Sequence, residues 1–315
     1  WLRYDWLLIV NSSCYVSLFF LFYFYKIKII MVKNILITGA SGLIGGILAE
    51  HLSKNPNYDV YGTDKHIGLS VHYQIEKIKA PEGQQPILPP KKFYICDITD
   101  KDQLSRIIRN NRINIIIHLA AVLVDDSPAY FTHINCDGTK ILFDIATKED
   151  SVEMIIYASS ARVVFGYLDN EPYSLLVKNI KPTETLKRIT IDDPPMPAHT
   201  NACDEAYSNS KVYGEELARQ YSSMDGTNVK FICARFGLIN LPDSIVSDLY
   251  DWSEKTVWCS HRDLCQFIDR VLENQLILKK FQIYFVCSNN DFCWIDIDPG
   301  KDLNYIPQDS AKWDS

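Results

Sequence analysis

The residues best suited to chemistry are a tyrosine and a lysine four positions apart, Tyr207 and Lys211, in the segment YSNSK. On a helix, residues four apart share a face, so both side chains are expected to point at one site. A phenol has a pKa of about 10 and is a poor base at neutral pH, whereas a nearby ammonium favours the phenolate. Lowering that pKa by about three units needs roughly 4 kcal/mol of differential stabilisation. The pair therefore predicts a site at which Tyr207 exchanges a proton with a substrate hydroxyl during hydride transfer.

A glycine-rich segment, TGASGLIG at residues 38–45, lies between an apolar run and an amphipathic one, the context of a dinucleotide-binding turn. The first glycine is expected to allow the tight turn, the second a close approach of the backbone to a pyrophosphate, and the third close helix packing. The following helix offers N–H groups and a positive dipole to phosphates. The predicted cofactor-binding residues of this loop are Gly39, Ser41, Gly42, Leu43, Ile44 and Gly45.

Acidic residues follow the next two predicted strands. Asp64 comes 19 residues after Gly45, where a carboxylate accepts both ribose hydroxyls and repels a 2′-phosphate, which favours NAD over NADP. The neighbouring Lys65 leaves room for NADP. Asp97 and Ile98 follow the third strand and are predicted to hold the adenine edge.

Two adjacent serines, Ser159 and Ser160, end a further apolar run. Because the carboxyl ends of parallel strands face the cofactor crevice, a hydroxyl here is placed to bond the reacting oxygen. Either serine satisfies this argument, and Ser160 is preferred.

Apolar runs alternate with amphipathic ones from Val32 onward, which predicts a parallel sheet covered by helices on both faces. The predicted strands are Lys33–Thr38, Tyr58–Thr63, Phe93–Cys96, Ile113–Leu119, Met154–Ser159, Val229–Ala234 and Gln282–Cys287. The predicted helices are Leu43–Lys54, Lys101–Asn110, Ala129–Lys148, Glu205–Ser222 and Arg262–Glu273. The proline-containing stretches 65–92 and 182–200 are predicted to be irregular, the second on the substrate side. The fold class is thus α/β, a doubly wound parallel sheet of the Rossmann type. Residues 31–240 form the dinucleotide-binding domain and 241–315 a small substrate-side region.

Composition limits the classes of function. The net charge is −7 and no basic tract occurs, which argues against a nucleic-acid partner. The nine cysteines form no CxxC pair. No two Cys/His pairs are spaced so that together they could hold a zinc ion, so no metal site is expected. Reduced, mostly buried thiols in the cytoplasm are the expectation.

The first 30 residues differ from the rest. Trp6–Tyr25 contains no charged residue and is long enough to span a bilayer, and Lys26 and Lys28 follow it. Met31 directly precedes the first predicted strand, so residues 1–30 are interpreted either as translated upstream sequence or as a membrane anchor. In both cases the segment is set apart from the fold.

Taken together, these residues resemble the extended short-chain dehydrogenase/reductase family, the NAD-dependent epimerase/dehydratase group, over Met31–Ser315. The segment HLAA after the fourth strand and Asn135 add to the resemblance. It implies NAD as cofactor, a small carbohydrate substrate and a homodimer. It also implies a catalytic set of Ser160, Tyr207 and Lys211, with further cofactor-lining residues Leu119, Ala120, Ala121, Asn135 and Lys211.

Within the group, the C-terminal third is similar to the uronate dehydrogenases, with two departures. That branch follows its serine with Asn and His, where this chain has Ala161 and Arg162. It also brings an arginine to the substrate carboxylate from a segment that here, in Leu238–Trp258, contains none. Arg162 either replaces that charge from another direction or is a surface residue. An ungapped match to the epimerase spacing would place Ala161, and no hydroxyl, at the catalytic position.

The sequence thus favours an NAD-dependent oxidoreductase acting on a hydroxyl of a sugar or sugar acid. One alternative is a nucleotide-sugar epimerase or dehydratase with the same cofactor. A second is a non-catalytic NAD-binding sensor.

Overall fold

The computed structural model describes residues 32–67, 88–123, 127–245 and 249–313. A seven-stranded parallel sheet lies at its centre, with strand order β3-β2-β1-β4-β5-β6-β7. Its strands are β1 (Lys33–Thr38), β2 (Tyr58–Asp64), β3 (Phe93–Ile95), β4 (Ile115–His118), β5 (Met154–Ser160), β6 (Lys230–Phe236) and β7 (Phe281–Val286). This confirms the predicted doubly wound α/β fold, and the strand ends differ from the predicted ones by at most two residues.

Helices pack on both faces of the sheet. They are α1 (Leu43–Ser53), α2 (Lys101–Asn110), α3 (Pro128–Phe131), α4 (Gly138–Ala146), α5 (Ser174–Val177), α6 (Ala202–Ser222), α7 (Trp252–Lys255) and α8 (His261–Glu273). Strand β5 contributes to both apolar layers, because Ile155 and Tyr157 pack on one side and Ile156 on the other. This alternation is what a central strand buried on both faces requires.

The predicted helix Ala129–Lys148 is interrupted. Between α3 and α4 the residues Thr132–Asp137 form a π-helix, a rare element that often lies at functional sites. Sequence periodicity did not indicate it, since one wider turn leaves the apolar pattern on either side almost unchanged.

Helix α6 begins at Ala202, three residues before its predicted start. The side chain of Asn201 accepts hydrogen bonds from the backbone N–H groups of Cys203 and Asp204, which caps the helix directly after the proline-containing stretch. The cap fixes where the helix starts, and hence how far along it Tyr207 and Lys211 lie.

Residues 241–313 add β7 and α8 to the same sheet and place α7 near its carboxyl edge. The proposed division at residue 240 stays a prediction. In the part of the chain that the structure describes, no helix has the length and apolar character needed to cross a membrane. The apolar segment 6–25 and most of the stretch 65–92 lie outside the described residues.

Candidate active site

The predicted site residues come together at the carboxyl ends of the sheet strands. Strands β1 and β4 are neighbours, and the strand order reverses between them, so a crevice opens at their carboxyl ends. The glycine loop follows β1, residues 119–121 follow β4, and Ser160 ends β5, next to β4 in the sheet. This is where ligands bind in open α/β sheets.

The glycine loop has a shape that side chains would prevent. Gly39 has φ +71°, and a Cβ on it would lie 2.8 Å from the backbone nitrogen of Ala120. A Cβ on Gly45 would lie 2.1 Å from the carbonyl oxygen of Gly39. Helix α1 begins at Leu43 behind Gly42, and no side chain among the described residues caps it. Its first N–H groups are thus available to an anion, which fits a dinucleotide pyrophosphate.

Asp64 lies at the end of β2 beside this loop. Its carboxylate accepts hydrogen bonds from the backbone N–H of Ser41 (3.1 Å) and of His66 (3.3 Å). Lys65 donates instead to the hydroxyl of Tyr130 at 2.8 Å. A carboxylate is therefore the charge nearest the loop, as NAD recognition through a ribose requires.

Asp97 and Ile98 have separate surroundings. The Asp97 carboxylate accepts from the backbone and the hydroxyl of Thr99 (2.9 and 2.7 Å), and although burial raises its pKa, these bonds lower it more. Ile98 is buried against Gly138, where a Cβ would lie 2.7 Å from its Cγ2. Asp97 thus stays ionised at the crevice, and Ile98 packs beneath it.

A buried chain of hydrogen bonds connects β1 to helix α4. The Thr38 hydroxyl accepts from the N–H groups of Leu119 and Ala120 (both 3.2 Å) and lies 2.7 Å from Nδ1 of His118. Nε2 of His118 lies 3.0 Å from the hydroxyl of Thr139. Burial, and then the charge of Lys211, lower the pKa of His118 to about 3, so the ring is neutral. We assign its proton to Nε2, because Thr38 then donates to Nδ1 and every bond in the chain has one donor.

Asn135 holds the loop after β4 in place. Its amide oxygen accepts from the backbone N–H of Val122 (2.8 Å), and its amide nitrogen donates to Val122 O (2.9 Å) and to the hydroxyl of Ser210 (3.1 Å). Its polar atoms are thus engaged with the protein. Asn135 therefore supports the segment Leu119–Ala121 that lines the crevice, and fixes it against α6.

The two serines of β5 point in different directions. Ser159 donates to Oε1 of Glu215 at 2.6 Å in the buried interior. The Ser160 hydroxyl acts on Tyr207, whose pKa it lowers, and accepts from the backbone N–H of Arg162 at 3.2 Å. Successive strand residues face opposite sides, which separates the two hydroxyls. Ser160 is therefore the hydroxyl at the tyrosine, whereas Ala161 begins a 3₁₀ helix.

Tyr207 and Lys211 share one face of α6, as predicted. The ammonium of Lys211 lies 5.5 Å from the centre of the Tyr207 ring and donates to the carbonyl oxygen of Ala158 at 2.8 Å. Burial lowers the pKa of Lys211 to about 8.

The expected lowering of the Tyr207 pKa by this ammonium is not found. Burial raises the pKa of Tyr207, while the Ser160 hydroxyl and the charge of Arg162 lower it by less. The four-residue spacing indicates a nearby ammonium but not the desolvation of a phenolate. In this site desolvation has the larger effect on the pKa.

Arg162 follows Ser160 by two residues and forms two ion pairs. Its two terminal nitrogens contact the carboxylates of Asp204 (3.2 Å) and Glu254 (3.1 Å). Burial raises the pKa of Glu254, and Arg162 lowers it by less. Of the two sequence interpretations, a free cation for a substrate carboxylate and a surface arginine, neither describes this ion-paired group.

Sequence reasoning missed one buried pair. Glu215 and Arg235 form a bidentate ion pair with both N–O distances at 2.8 Å, and both are almost completely buried. The spacing offered a signal: Glu215 follows Lys211 by one helical turn, and a charged residue on the buried face of a helix needs a partner.

Residues 35–240 match the sequence profile of the NAD dependent epimerase/dehydratase family. The chain is 26% identical to UDP-glucose 4-epimerase of Drosophila melanogaster over 201 residues, 61% of this chain and 49% of that protein. It is 22% identical to sterol-4-alpha-carboxylate 3-dehydrogenase (decarboxylating) of Saccharomyces cerevisiae over 192 residues, 59% of this chain and 45% of that protein. The chain therefore spans about half the length of the curated relatives it matches.

Solved structures share the fold. That of uronate dehydrogenase from Agrobacterium tumefaciens has a TM-score of 0.64 at 22% identity, covering 89% of this chain and 85% of that one. That of glucuronic acid dehydrogenase from Chromohalobacter salexigens has a TM-score of 0.64 at 23% identity, covering 89% and 86%.

Proposed function

The chain belongs to the NAD dependent epimerase/dehydratase family, and from this premise we propose that it oxidises a hydroxyl of a sugar or sugar acid with NAD. The observation that carries the proposal is the position of the Lys211 ammonium, which lies 5.5 Å from the Tyr207 ring centre and donates to Ala158 O in β5. That strand ends at Ser160, at the same carboxyl end of the sheet where the glycine loop follows β1. A non-catalytic sensor would not need a phenol, a hydroxyl and an ammonium in one place.

The cofactor is proposed to lie along the crevice residues. Its pyrophosphate would meet the N-terminus of α1 in the glycine loop, one ribose would meet Asp64, and its adenine edge Asp97 and Ile98. The segment Leu119–Ala121, held by Asn135, would line the path to the site. When bound, NAD would supply an acceptor for the hydride that leaves the substrate carbon.

The side chains of this protein would handle the proton. Tyr207 Oη is the proposed base for the substrate hydroxyl, and Ser160 Oγ would bond the same substrate oxygen. Burial favours the neutral phenol, so the base form must be stabilised by nearby positive charge and donated hydrogen bonds. Arg162 supplies such a charge and the Ser160 hydroxyl also lowers the pKa, while Lys211 lies 5.5 Å from the ring centre. We propose that Ser160, Tyr207 and Lys211 act together as one functional unit.

A screen of free sugars, sugar acids and nucleotide-sugars with both cofactors tests this function. We expect net appearance of NADH absorbance with a free sugar or sugar acid. Conversion of a nucleotide-sugar without net formation of NADH would contradict the proposed dehydrogenase and favour an epimerase. One curated relative is named for that activity. Tight NADH binding without turnover of any compound would favour the sensor.

Removing the charge of Asp64 is predicted to weaken the preference for NAD. In Asp64→Asn the amide oxygen can still accept from Ser41, but no anion remains to repel a 2′-phosphate. We expect the ratio of NADPH to NADH dissociation constants to fall by about tenfold or more, or about 1.4 kcal/mol. Fluorescence titration with both reduced cofactors measures it.

Asp59→Asn is the matched control, because Asp59 lies near the amino end of the same strand and pairs with Lys92. An equal ratio in wild type and Asp64→Asn would show that another residue selects the cofactor.

We also propose that the enzyme works as a cytoplasmic homodimer, as the family resemblance implies. Light scattering on the purified full chain tests the dimer, and a monomeric mass at working concentration would contradict it.

A further inference from the structure

Arg162 acts on Tyr207 through its charge, which lowers the pKa of the phenol, and its guanidinium forms two ion pairs. Each terminal nitrogen meets a different carboxylate, Asp204 at 3.2 Å and Glu254 at 3.1 Å. The three side chains are about one quarter to one third exposed, so they border solvent-accessible space. One guanidinium thus faces two carboxylates.

The segment that carries Glu254 adds little positive charge. The segment Leu238–Trp258 holds a single basic residue, Lys255, whose ammonium lies over the Trp252 ring at 5.6 Å from its centre. Asp251, in the same segment, adds a further negative charge next to Glu254. The balance of fixed charge around Arg162 is therefore negative.

A substrate carboxylate entering here would be a third anion on a guanidinium that already serves two. Like charges at short range destabilise each other, and an ionised carboxylate has no proton to donate to Asp204 or Glu254. A hydroxyl or hydroxymethyl group does donate, so an uncharged sugar satisfies the same carboxylates. Specificity then comes from a repulsive element as well as an attractive one.

We propose that the enzyme oxidises an uncharged sugar and excludes the corresponding sugar acid, with Glu254 as the residue that sets this preference. The inference rests on the proposed function and narrows its substrate class. It also separates this chain from the uronate dehydrogenases whose fold it shares.

The test compares aldohexoses with their own uronic acids, galactose with galacturonate and glucose with glucuronate, as kcat/KM with NAD on the full chain. We expect wild type to favour the neutral member of the pair that it oxidises by at least about tenfold, about 1.4 kcal/mol. Glu254→Gln removes one of the two carboxylates that neutralise the Arg162 charge. The ratio of kcat/KM values should therefore shift toward the acid by about tenfold.

Glu216→Gln is the matched control, since Glu216 is exposed on the same helix as Tyr207 and pairs with Arg219 at 3.4 Å. It should leave the ratio unchanged. Asp204→Asn, which frees the same guanidinium from its other side, replaces Glu254→Gln if that variant does not fold. NADH binding by fluorescence checks folding in each case.

The outcomes are distinct. A wild-type preference for the acid, or the same ratio in Glu254→Gln and Glu216→Gln, overturns the inference while oxidation itself upholds the proposed function. The remaining outcome is a chain that binds NADH but oxidises none of these four compounds. If the screen also finds no other free sugar or sugar acid that it oxidises, the proposed function is overturned, and this inference with it.

Discussion

Tyr207→Phe is expected to lower kcat by about 10²- to 10⁴-fold, the usual contribution of a positioned general base. The substitution removes only the hydroxyl, whose pKa Ser160 and Arg162 lower, and keeps the ring that lies 5.5 Å from the Lys211 ammonium. Because the ring still fills its space in the site, the helix should hold its place. NADH affinity is therefore expected to stay within about threefold of wild type, because the lost hydroxyl acts in the chemical step and not in cofactor binding. Steady-state kinetics and fluorescence titration measure the two effects.

Tyr213→Phe provides the control on the same helix. Tyr213 is 39% exposed and lies six residues further along, away from Ser160, so loss of its hydroxyl should leave kcat unchanged. If Tyr207→Phe kept more than about a tenth of wild-type kcat, the proton would have to leave through another group and the role assigned to the phenol would be wrong. Loss of NADH binding together with kcat would instead indicate a structural defect.

The sequence predicted the parts of this site that depend on local spacing. A few adjacent residues specify the tight turn, with Gly39 at positive φ and Gly45 close to the Gly39 carbonyl oxygen. The helix face that carries Tyr207 and Lys211 is specified in the same way. The sheet order follows from continuous apolar strands joined by helices, which allow few topologies. These features could be predicted because each is fixed by neighbours in the chain.

The features that the sequence left open or missed depend on partners far apart in the chain. Whether Ser159 or Ser160 faces the tyrosine depends on which side of β5 meets α6, and periodicity gives the alternation but not the side. The engagement of Arg162 depends on Asp204 and Glu254, 42 and 92 residues away. The pKa of Tyr207 depends on the balance between burial and charge, which a spacing of four residues leaves undetermined.

The buried pair of Glu215 and Arg235 carries the second large prediction. Glu215→Gln keeps the shape and an acceptor for Ser159 but leaves the Arg235 charge uncompensated at 1% exposure. Nη1 of Arg235 has no hydrogen-bond partner among the described residues, so no second acceptor can take over the charge. Breaking one side of such a pair costs about 3 to 5 kcal/mol. Urea unfolding followed by circular dichroism should show this loss.

The double variant Glu215→Leu with Arg235→Met tests the cause of that loss. Replacing both charges by apolar groups leaves no buried ion, so most of the stability should return, whereas a loss that came from packing would remain.

Glu216→Gln is the control for stability, because it disturbs an exposed pair on the next residue and should cost less than about 1 kcal/mol. A change below about 1 kcal/mol in Glu215→Gln would contradict the buried-charge account. Because Ser159 donates to Glu215 and its neighbour Ser160 lowers the pKa of Tyr207, the double variant would also separate the pair's structural role from catalysis. It should restore folding, while any remaining loss of kcat would measure how far Glu215 positions the end of β5.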